Sequence, residues 1–148
     1  MSTLLLLNGP NLNLLGTRQP EIYGSTTLAD VEATCTALAS ELGFDLIAKQ
    51  TNHEGGLVDA LHEARNSCAG VVLNAGAYSH TSIALYDAIA STELPTVEVH
   101  VSNIHARETF RHKSMITPVA IGIISGFGVN SYPLAIRALA AHLSGRTA

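Results

Sequence analysis

Two short stretches of this sequence carry side chains whose types and spacing could do acid–base chemistry. The first is GTRQPEIYG, residues 16–24, in which Arg18 precedes Tyr23 by five residues. A free tyrosine titrates near pH 10, so only about 0.1% of it is ionised at pH 7. A guanidinium held beside the phenol favours the phenolate and lowers its pKa. The stretch has neither a helical nor a strand period, so it predicts a loop in which Arg18 could make Tyr23 a base.

The second stretch is VEVHV, residues 97–101. Side chains alternate between the faces of a strand, so Glu98 and His100 leave one face and the valines the other. A carboxylate that is buried between a sheet and its helices is costly unless it is paired. The spacing lets Glu98 orient or charge the imidazole of His100, and it fits a structural ion pair at a sheet end equally well.

Apolar runs that alternate with amphipathic runs predict the elements that must position these side chains. Strands that read as continuous apolar segments, separated by helices, indicate a parallel sheet covered on both faces. The sequence therefore predicts one α/β domain, 1–148, with a flavodoxin-like, doubly wound, five-stranded parallel sheet of order 2-1-3-4-5. Thr26 or Thr27 is expected to cap the first helix, and Gly43 to end it. We expect strands at 3–8, 44–50, 70–74, 95–101 and 119–125, a helical turn near 104–109, and helices at 28–43, 54–67, 80–91 and 131–143.

Polar side chains collect where the predicted strands end. In an open α/β sheet, ligands bind outside the carboxyl ends of the strands, so this pattern predicts a site for a polar small molecule. Four of the five ends carry amides or imidazoles. The second strand ends in QTNHEG, residues 50–55, and the polar residues at the other three ends are Asn8, Asn11, Asn74, His80, Glu98, His100, Ser102 and Asn103.

Two further observations near these ends are open to two interpretations. His80, Ala84 and Asp87 follow a helical spacing and would share one face of the third helix, but a solvated polar stripe has the same pattern. Arg111, in the loop after the fourth strand, could bind a carboxylate or hydroxyls, although surface arginines are commoner.

Composition disfavours several classes of protein. Hydrophobic residues make up 47% of the chain and charged residues 14%, which is few charges for a lone monomer, so we expect a homo-oligomer. The net charge of −4 gives no basic patch, which argues against a nucleic-acid partner. No apolar run reaches the roughly 18 residues of a membrane span. The N-terminus lacks the basic region of a signal peptide, and Cys35 and Cys68 suggest reduced thiols, so we expect a cytoplasmic protein.

No metal or cofactor site is predicted. His100, His105 and His112 have no second cluster to complete a zinc site, and NGPNLNLLG lacks the spacing of a phosphate-binding loop. The fold would also suit an FMN-binding electron carrier, but fold alone does not give function. The chain has no tryptophan and no tyrosines in two obvious flavin-flanking loops. A phospho-receiver module would need an acidic cluster after the first strand, where this sequence reads LNGPN.

Taken together, these segments resemble the type II 3-dehydroquinate dehydratases, the dehydroquinases of the shikimate pathway. The resemblance covers nearly the whole chain and is most specific in the motif pairs NGPNLNLLG with EIYG and EVHVSN with FRH. It implies a flavodoxin-like fold, elimination of water from 3-dehydroquinate through an enolate, and neither a metal nor an organic cofactor. It also implies a dodecamer of four trimers, in which Asp87 would reach the site from an adjacent subunit.

The same resemblance implies a role for each candidate residue. Tyr23 would be the base, made acidic by Arg18, in a lid that closes over the substrate. His100 would be the general acid, Glu98 would keep it charged and oriented, and Asn11 would stabilise the enolate through a water. The substrate carboxylate would lie against Asn74 and the backbone N–H groups of Val101 and Ser102, and ring hydroxyls against His80 and Arg111. The chain departs from the expected pattern at positions that are not catalytic candidates, namely Gln19, Gly56, Thr109 and Met115.

Overall fold

The computed structural model describes residues 1–17, 21 and 24–145, and within them five parallel strands form one sheet of order β2-β1-β3-β4-β5. This confirms the predicted α/β class, parallel pairing and strand order. The strands are β1 (Thr3–Asn8), β2 (Asp45–Gln50), β3 (Gly70–Asn74), β4 (Thr96–His100) and β5 (Gly122–Ser125). The helices are α1 (Leu28–Glu41), α2 (Glu54–Ser67), α3 (Ile83–Thr92) and α4 (Ser131–Leu143).

The side chains of β1 show how the sheet is buried on both faces. Leu4 and Leu6 pack in one core with residues of α1 and α4, whereas Leu5 and Leu7 pack in a second core with residues of α2 and α3. These leucines are at most 1% exposed, and burying each side chain contributes about 1.5–3 kcal/mol. Helices on both sides therefore explain why the strand is a continuous apolar run.

The strand register brings polar residues together at one edge of the sheet. Asn8 pairs with both Gln50 and Asn74, and His100 pairs with Ser125. Because the strands are parallel, these residues all lie at the carboxyl edge, where ligands bind in folds of this kind.

Helix α1 begins at the cap that the sequence indicates. The Thr27 hydroxyl accepts from the Asp30 N–H at 3.2 Å, and the Asp30 carboxylate accepts from the Thr27 N–H at 3.0 Å, which is a capping box. The helix ends at Glu41, and Gly43 follows it with a φ of 91°. No helix in the described ranges is both long and apolar enough to cross a bilayer.

Two predicted element starts are wrong by three residues, and those of β2 and β4 differ by one residue. Helix α3 begins at Ile83 rather than at residue 80, because the Ser82 hydroxyl accepts from the Leu85 N–H at 2.9 Å and caps the helix there. Strand β5 begins at Gly122 rather than at residue 119, because Thr117–Val119 forms a 3-10 turn that contains a proline. The residues before α3 form a separate 3-10 helix, and both short helices contact the polar residues of β4.

Candidate active site

A cavity of about 260 Å³ opens at the carboxyl edge of the sheet. Its walls come from the loop after β1, the 3-10 helix Gly76–His80 after β3, and the loop after β4. In this strand order the crossovers reverse direction between β1 and β3, which is where ligands bind in doubly wound sheets. The polar side chains that line the cavity are Asn11, Asn74, His80, His100, Ser102, Arg107 and Arg111.

A buried ionic network lies beneath this cavity. Glu98 is fully buried and His100 is 4% exposed, and their side chains meet with Nε2 of His100 at 2.5 Å from Oε2 of Glu98. The Ser114 hydroxyl donates to the same oxygen at 2.7 Å, and the Thr117 hydroxyl donates to Oε1 at 2.5 Å. The expected contact between Glu98 and His100 is therefore present, and both carboxylate oxygens have donors.

These donors decide the ionisation of Glu98. Burial acts to raise the pKa of the carboxyl, but hydrogen bonds from His100, Thr117 and Ser114 oppose it, and the net pKa lies below the ordinary value of 4.5. The carboxylate is thus ionised at neutral pH and can only accept hydrogen bonds. Nε2 of His100 must be the donor, which leaves Nδ1 as the ring nitrogen available to a ligand.

His80 lies beside His100 on the cavity wall. The two imidazole rings stack with centroids 6.1 Å apart and an interplanar angle of 22°. Nδ1 of His80 lies 2.9 Å from the carbonyl oxygen of Lys113. A carbonyl only accepts, so Nδ1 carries the proton and Nε2 of a neutral His80 is left as an acceptor.

A second buried network, without charges, orients Asn74. The Tyr132 hydroxyl donates to Oδ1 of Asn8 at 2.6 Å and accepts from Nδ2 of Asn74 at 2.9 Å, while Oδ1 of Asn74 accepts from the Gly76 N–H at 3.1 Å. Burial raises the pKa of the Tyr132 phenol well above its ordinary value, so it stays neutral. Turning the Asn74 amide over would break both of its hydrogen bonds, so the second Nδ2 hydrogen remains for the cavity.

The loop after β1 holds Asn11 in an uncommon backbone conformation. Asn11 has a φ of 70°, which asparagine tolerates better than most residues. Its N–H donates to Oδ1 of Asn52 at 3.0 Å, and Nε2 of Gln50 donates to that oxygen and to the Gly9 carbonyl, each at 3.1 Å. A Cβ on Gly9 would lie 2.6 Å from the carbonyl oxygen of Ala75, so only glycine fits this turn.

Two arginines form the outer part of the cavity, in the loop where the predicted helical turn is present as the 3-10 helix Ile104–Ala106. Nε of Arg111 lies 3.3 Å from Oε1 of Glu108, and Nε of Arg107 lies 3.6 Å from the same oxygen. Nη1 of Arg107 also donates to the Ser102 hydroxyl at 3.4 Å. Partly exposed pairs of this kind contribute about 0–1 kcal/mol, so an anionic ligand can replace Glu108 at little cost.

The structure brings together most of the candidate residues. Glu98 lies behind His100, and the candidates that line the cavity are Asn11, Asn74, His80, His100, Val101, Ser102 and Arg111. Arg18 and Tyr23 lie outside the described residues, although the neighbouring Gly16 lines the cavity.

Asp87 is not part of this cavity within the described chain. It is an exposed residue of α3, and His80 precedes that helix in a separate 3-10 helix. The prediction that His80, Ala84 and Asp87 share one helical face is therefore wrong, because Ser82 starts the helix two residues after His80.

Sequence reasoning missed several residues of the site. Ser114 and Thr117 contact Glu98 from 16 and 19 positions away, and Tyr132 reaches Asn74 across 58 positions. None belongs to a local spacing pattern that points to the site. Arg107 could have been found, because it lies in the same polar loop as Arg111. Within the described ranges, no group of three or more metal-ligating side chains could hold a metal ion.

Comparison with known proteins agrees with this geometry. The profile of the family described as dehydroquinase class II matches residues 2–140. The 3-dehydroquinate dehydratase of Jannaschia sp. (strain CCS1) is 65% identical over 138 residues, which cover 93% of each chain. That of Ruegeria pomeroyi is 63% identical over 144 residues, or 97% of each chain.

Solved structures show the same fold. The type II dehydroquinase from Propionibacterium acnes superposes with a TM-score of 0.90 at 42% identity, over 95% of this chain and 97% of that one. The type II dehydroquinase from Butyrivibrio crossotus has a TM-score of 0.89 at 40% identity, over 93% of this chain and 97% of that one. This agreement favours a dehydratase over the FMN-binding electron carrier. The chain therefore belongs to the class II dehydroquinase family and is a hydro-lyase.

Proposed function

We propose that this protein eliminates water from 3-dehydroquinate to give 3-dehydroshikimate through an enolate intermediate. A base removes a proton from the carbon beside the ketone, and an acid then protonates the hydroxyl that leaves the next carbon. The observation that supports this most strongly is the buried Glu98–His100 pair, whose imidazole lines a cavity at the carboxyl edge of the sheet. The names of its relatives support the choice of substrate.

His100 is the proposed general acid. Its Nε2 is engaged by the Glu98 carboxylate at 2.5 Å, so the proton for the leaving hydroxyl comes from Nδ1. A buried carboxylate beside the ring favours the charged imidazolium, which is the form that can give a proton. General acid–base catalysis of this kind contributes about 10²–10⁴-fold to a rate.

Tyr23 is the proposed base, with Arg18 beside it when the substrate is bound. Each unit by which the phenol pKa falls raises its ionised fraction about tenfold at pH 7 and corresponds to about 1.4 kcal/mol. The segment that carries both residues lies between Gly16 and Gly24, which have φ values of 85° and 81°. These conformations suit hinge positions, so we propose that the segment closes over the substrate as a lid.

The remaining polar groups of the cavity bind the substrate. Nδ2 of Asn74 and the backbone N–H groups of Val101 and Ser102 hold the carboxylate. Nε2 of His80 accepts from a ring hydroxyl, since Nδ1 is bound to the Lys113 carbonyl. Arg111 holds a second hydroxyl, and Asn11 stabilises the developing enolate through a water.

We also propose that the enzyme works as a cytoplasmic homo-oligomer, a dodecamer of four trimers. Asp87 is exposed on α3 next to two exposed apolar side chains, Ile83 at 66% and Tyr86 at 38%. An adjacent subunit that covered this face would bury the apolar surface and bring Asp87 of one chain towards the cavity of the next. Size-exclusion chromatography with light scattering tests this; a monomer with full activity would contradict it.

The experiment that tests the proposed function is a direct assay. The purified protein is mixed with 3-dehydroquinate, and the ultraviolet absorbance of the conjugated enone is followed with and without a chelator. We expect the absorbance to rise equally in both, because the proposed mechanism uses no metal. Tyr23→Phe should abolish turnover, whereas the matched loss of a ring hydroxyl in Tyr78→Phe, at a residue that does not line the cavity, should not. An unchanged absorbance with the unsubstituted protein would refute the activity, and near-normal turnover by Tyr23→Phe would refute the base.

A further inference from the structure

We propose that Thr117 and Ser114 are positioning residues for the reaction, because their hydroxyls fix the Glu98 carboxylate so that it always engages Nε2 of His100. The inference rests on the proposed function and extends it to two residues that do not line the cavity. It identifies the segment 113–117, which we call the clamp segment, as the part of the fold that selects the proton-donating nitrogen of His100.

The geometry of the carboxylate carries this inference. Oε1 of Glu98 accepts only from Thr117 among the described residues, whereas Oε2 accepts from both Ser114 and His100. The Glu98 side chain is 1% exposed, so solvent does not supply a replacement donor. Without the Thr117 hydroxyl, the carboxylate would have an unpaired oxygen in the core, which is costly for a charged group. It would then rotate or take up a proton.

Ser114 is itself held in one orientation. Its Oγ accepts from the N–H groups of Ile116 and Thr117 at 3.0 and 3.4 Å, so both lone pairs are used. A hydroxyl has one hydrogen and two acceptor sites, and its one hydrogen is therefore directed to Glu98. Ile116, fully buried against residues of α2 and α3, anchors this turn in the core. Two residues of the clamp segment thus reach Glu98 from a fixed backbone.

The clamp segment also holds the second imidazole of the cavity. The Lys113 carbonyl accepts from Nδ1 of His80, and the Met115 N–H donates to the Ser79 carbonyl at 2.7 Å. His80 stacks on His100. A single short segment therefore sets the ring orientation of both histidines, one through a backbone carbonyl and one through the side chains on Glu98.

The test is a hydroxyl series at position 117. Thr117→Val keeps the shape of the side chain and removes its donor, whereas Thr117→Ser keeps the donor. We expect kcat for 3-dehydroquinate to fall about tenfold or more in Thr117→Val, the size expected for one lost hydrogen bond to a charged group. KM should change less than about twofold because position 117 does not contact the substrate, and Thr117→Ser should restore most of kcat. Ser114→Ala should act in the same direction.

The pH dependence of kcat provides a second measurement. It would not shift if Thr117 and Ser114 only stabilised the fold. Hydrogen bonds from Thr117 and Ser114 help to hold the pKa of Glu98 down, so the acid-side loss of kcat should begin at higher pH in Thr117→Val. Within the described residues, the other ionisable or charged groups around this pair are His80, stacked on His100, and the cavity arginines Arg107 and Arg111. All of them are unchanged in the series, so a shift reports on Glu98 and its partner.

A measurement without substrate separates this inference from the proposed function. Magic-angle-spinning NMR of protein with ¹⁵N-labelled histidine shows which nitrogen of His100 is protonated, with the signal assigned by its loss in His100→Gln. At a pH where the ring is neutral, we expect Nε2–H alone in the unsubstituted protein and in Thr117→Ser, and a mixture in Thr117→Val. An identical spectrum and kcat in Thr117→Val would overturn the inference. The expected spectra without any turnover would instead refute the proposed function alone.

Discussion

Two polar networks lie beneath the same cavity, and they differ in charge and in completeness. In the network around Glu98, both carboxylate oxygens accept hydrogen bonds, and the imidazole of His100 links the carboxylate to the cavity. In the network around Tyr132 every group is neutral, and Nδ2 of Asn8 has no partner within the described ranges. The ionic network determines which nitrogen of His100 can give a proton to the substrate. The neutral network determines how the Asn74 amide is oriented towards the cavity. We therefore expect the first to act on the chemical step and the second on substrate binding.

Removing the charge of Glu98 is expected to have the largest effect, a loss of kcat. Glu98→Gln keeps the size of the side chain but no longer favours the imidazolium of His100, so kcat should fall about 100-fold, within the range of general acid catalysis. KM should stay within about threefold because Glu98 does not line the cavity. Steady-state kinetics give both values, and Glu41→Gln at the exposed end of α1 is the matched control. A raised KM with an unchanged kcat would reverse the roles of the two networks.

A smaller effect, on binding, is expected from Tyr132→Phe. Without the hydroxyl, Nδ2 of Asn74 and Oδ1 of Asn8 each lose a partner, and the Asn74 amide is no longer held with a hydrogen towards the cavity. We expect KM to rise about tenfold with kcat changed less than about threefold. The free energy of unfolding should fall by about 1–3 kcal/mol because two buried polar groups lose their hydrogen bonds.

Kinetics and urea unfolding measure these two effects, with Tyr78→Phe, at a partly buried ring that does not line the cavity, as the control for loss of a phenol hydroxyl. If kcat falls as far as in Glu98→Gln while KM is unchanged, the neutral network takes part in the chemistry and the comparison fails.

The smallest expected effect is on the pH dependence of the free energy of unfolding, which should differ between variants of the two networks. The pKa of Glu98 is lowered in the folded protein, so its contribution is complete above the unfolded value of 4.5 and is lost as the pH falls through the folded value. Urea unfolding between pH 3 and 7 should therefore show a shallower acid loss in Glu98→Gln than in the unsubstituted protein. Tyr132→Phe should keep the original slope, because the neutral network has no group that titrates there. Equal slopes in all three proteins would show that Glu98 carries no such linkage.

The same contrast explains how far the sequence alone could lead. Glu98 and His100 lie two positions apart on one strand, so period-two alternation predicts that they share a face, and the structure confirms their contact. The continuous leucine run of β1 likewise predicts a sheet covered on both sides. Patterns of this kind are local, and the strand order followed from them together with the general rules for parallel sheets.

The parts that could not be predicted depend on contacts between distant segments. Thr117 reaches Glu98 from a 3-10 turn, and nothing in its own neighbourhood distinguishes it from a surface threonine. Tyr132 reads as one more core residue of α4, and only the fold brings its hydroxyl between Asn8 and Asn74. The helical spacing between His80 and Asp87 predicts that both lie on one helix, yet the Ser82 cap excludes His80 from that helix. The roles of Tyr23 and Arg18 remain predictions from the resemblance.

The most direct test of the central claim separates the base from the acid in one experiment. His100→Ala and Tyr23→Phe are each incubated with 3-dehydroquinate in D₂O, and NMR follows both deuterium at the carbon beside the ketone and formation of the enone. If Tyr23 removes the proton and His100 supplies the one that leaves with water, His100→Ala will incorporate deuterium while its elimination falls about 10²–10⁴-fold. Tyr23→Phe will do neither. Elimination at a near-normal rate by His100→Ala, or deuterium exchange by Tyr23→Phe, would contradict the account.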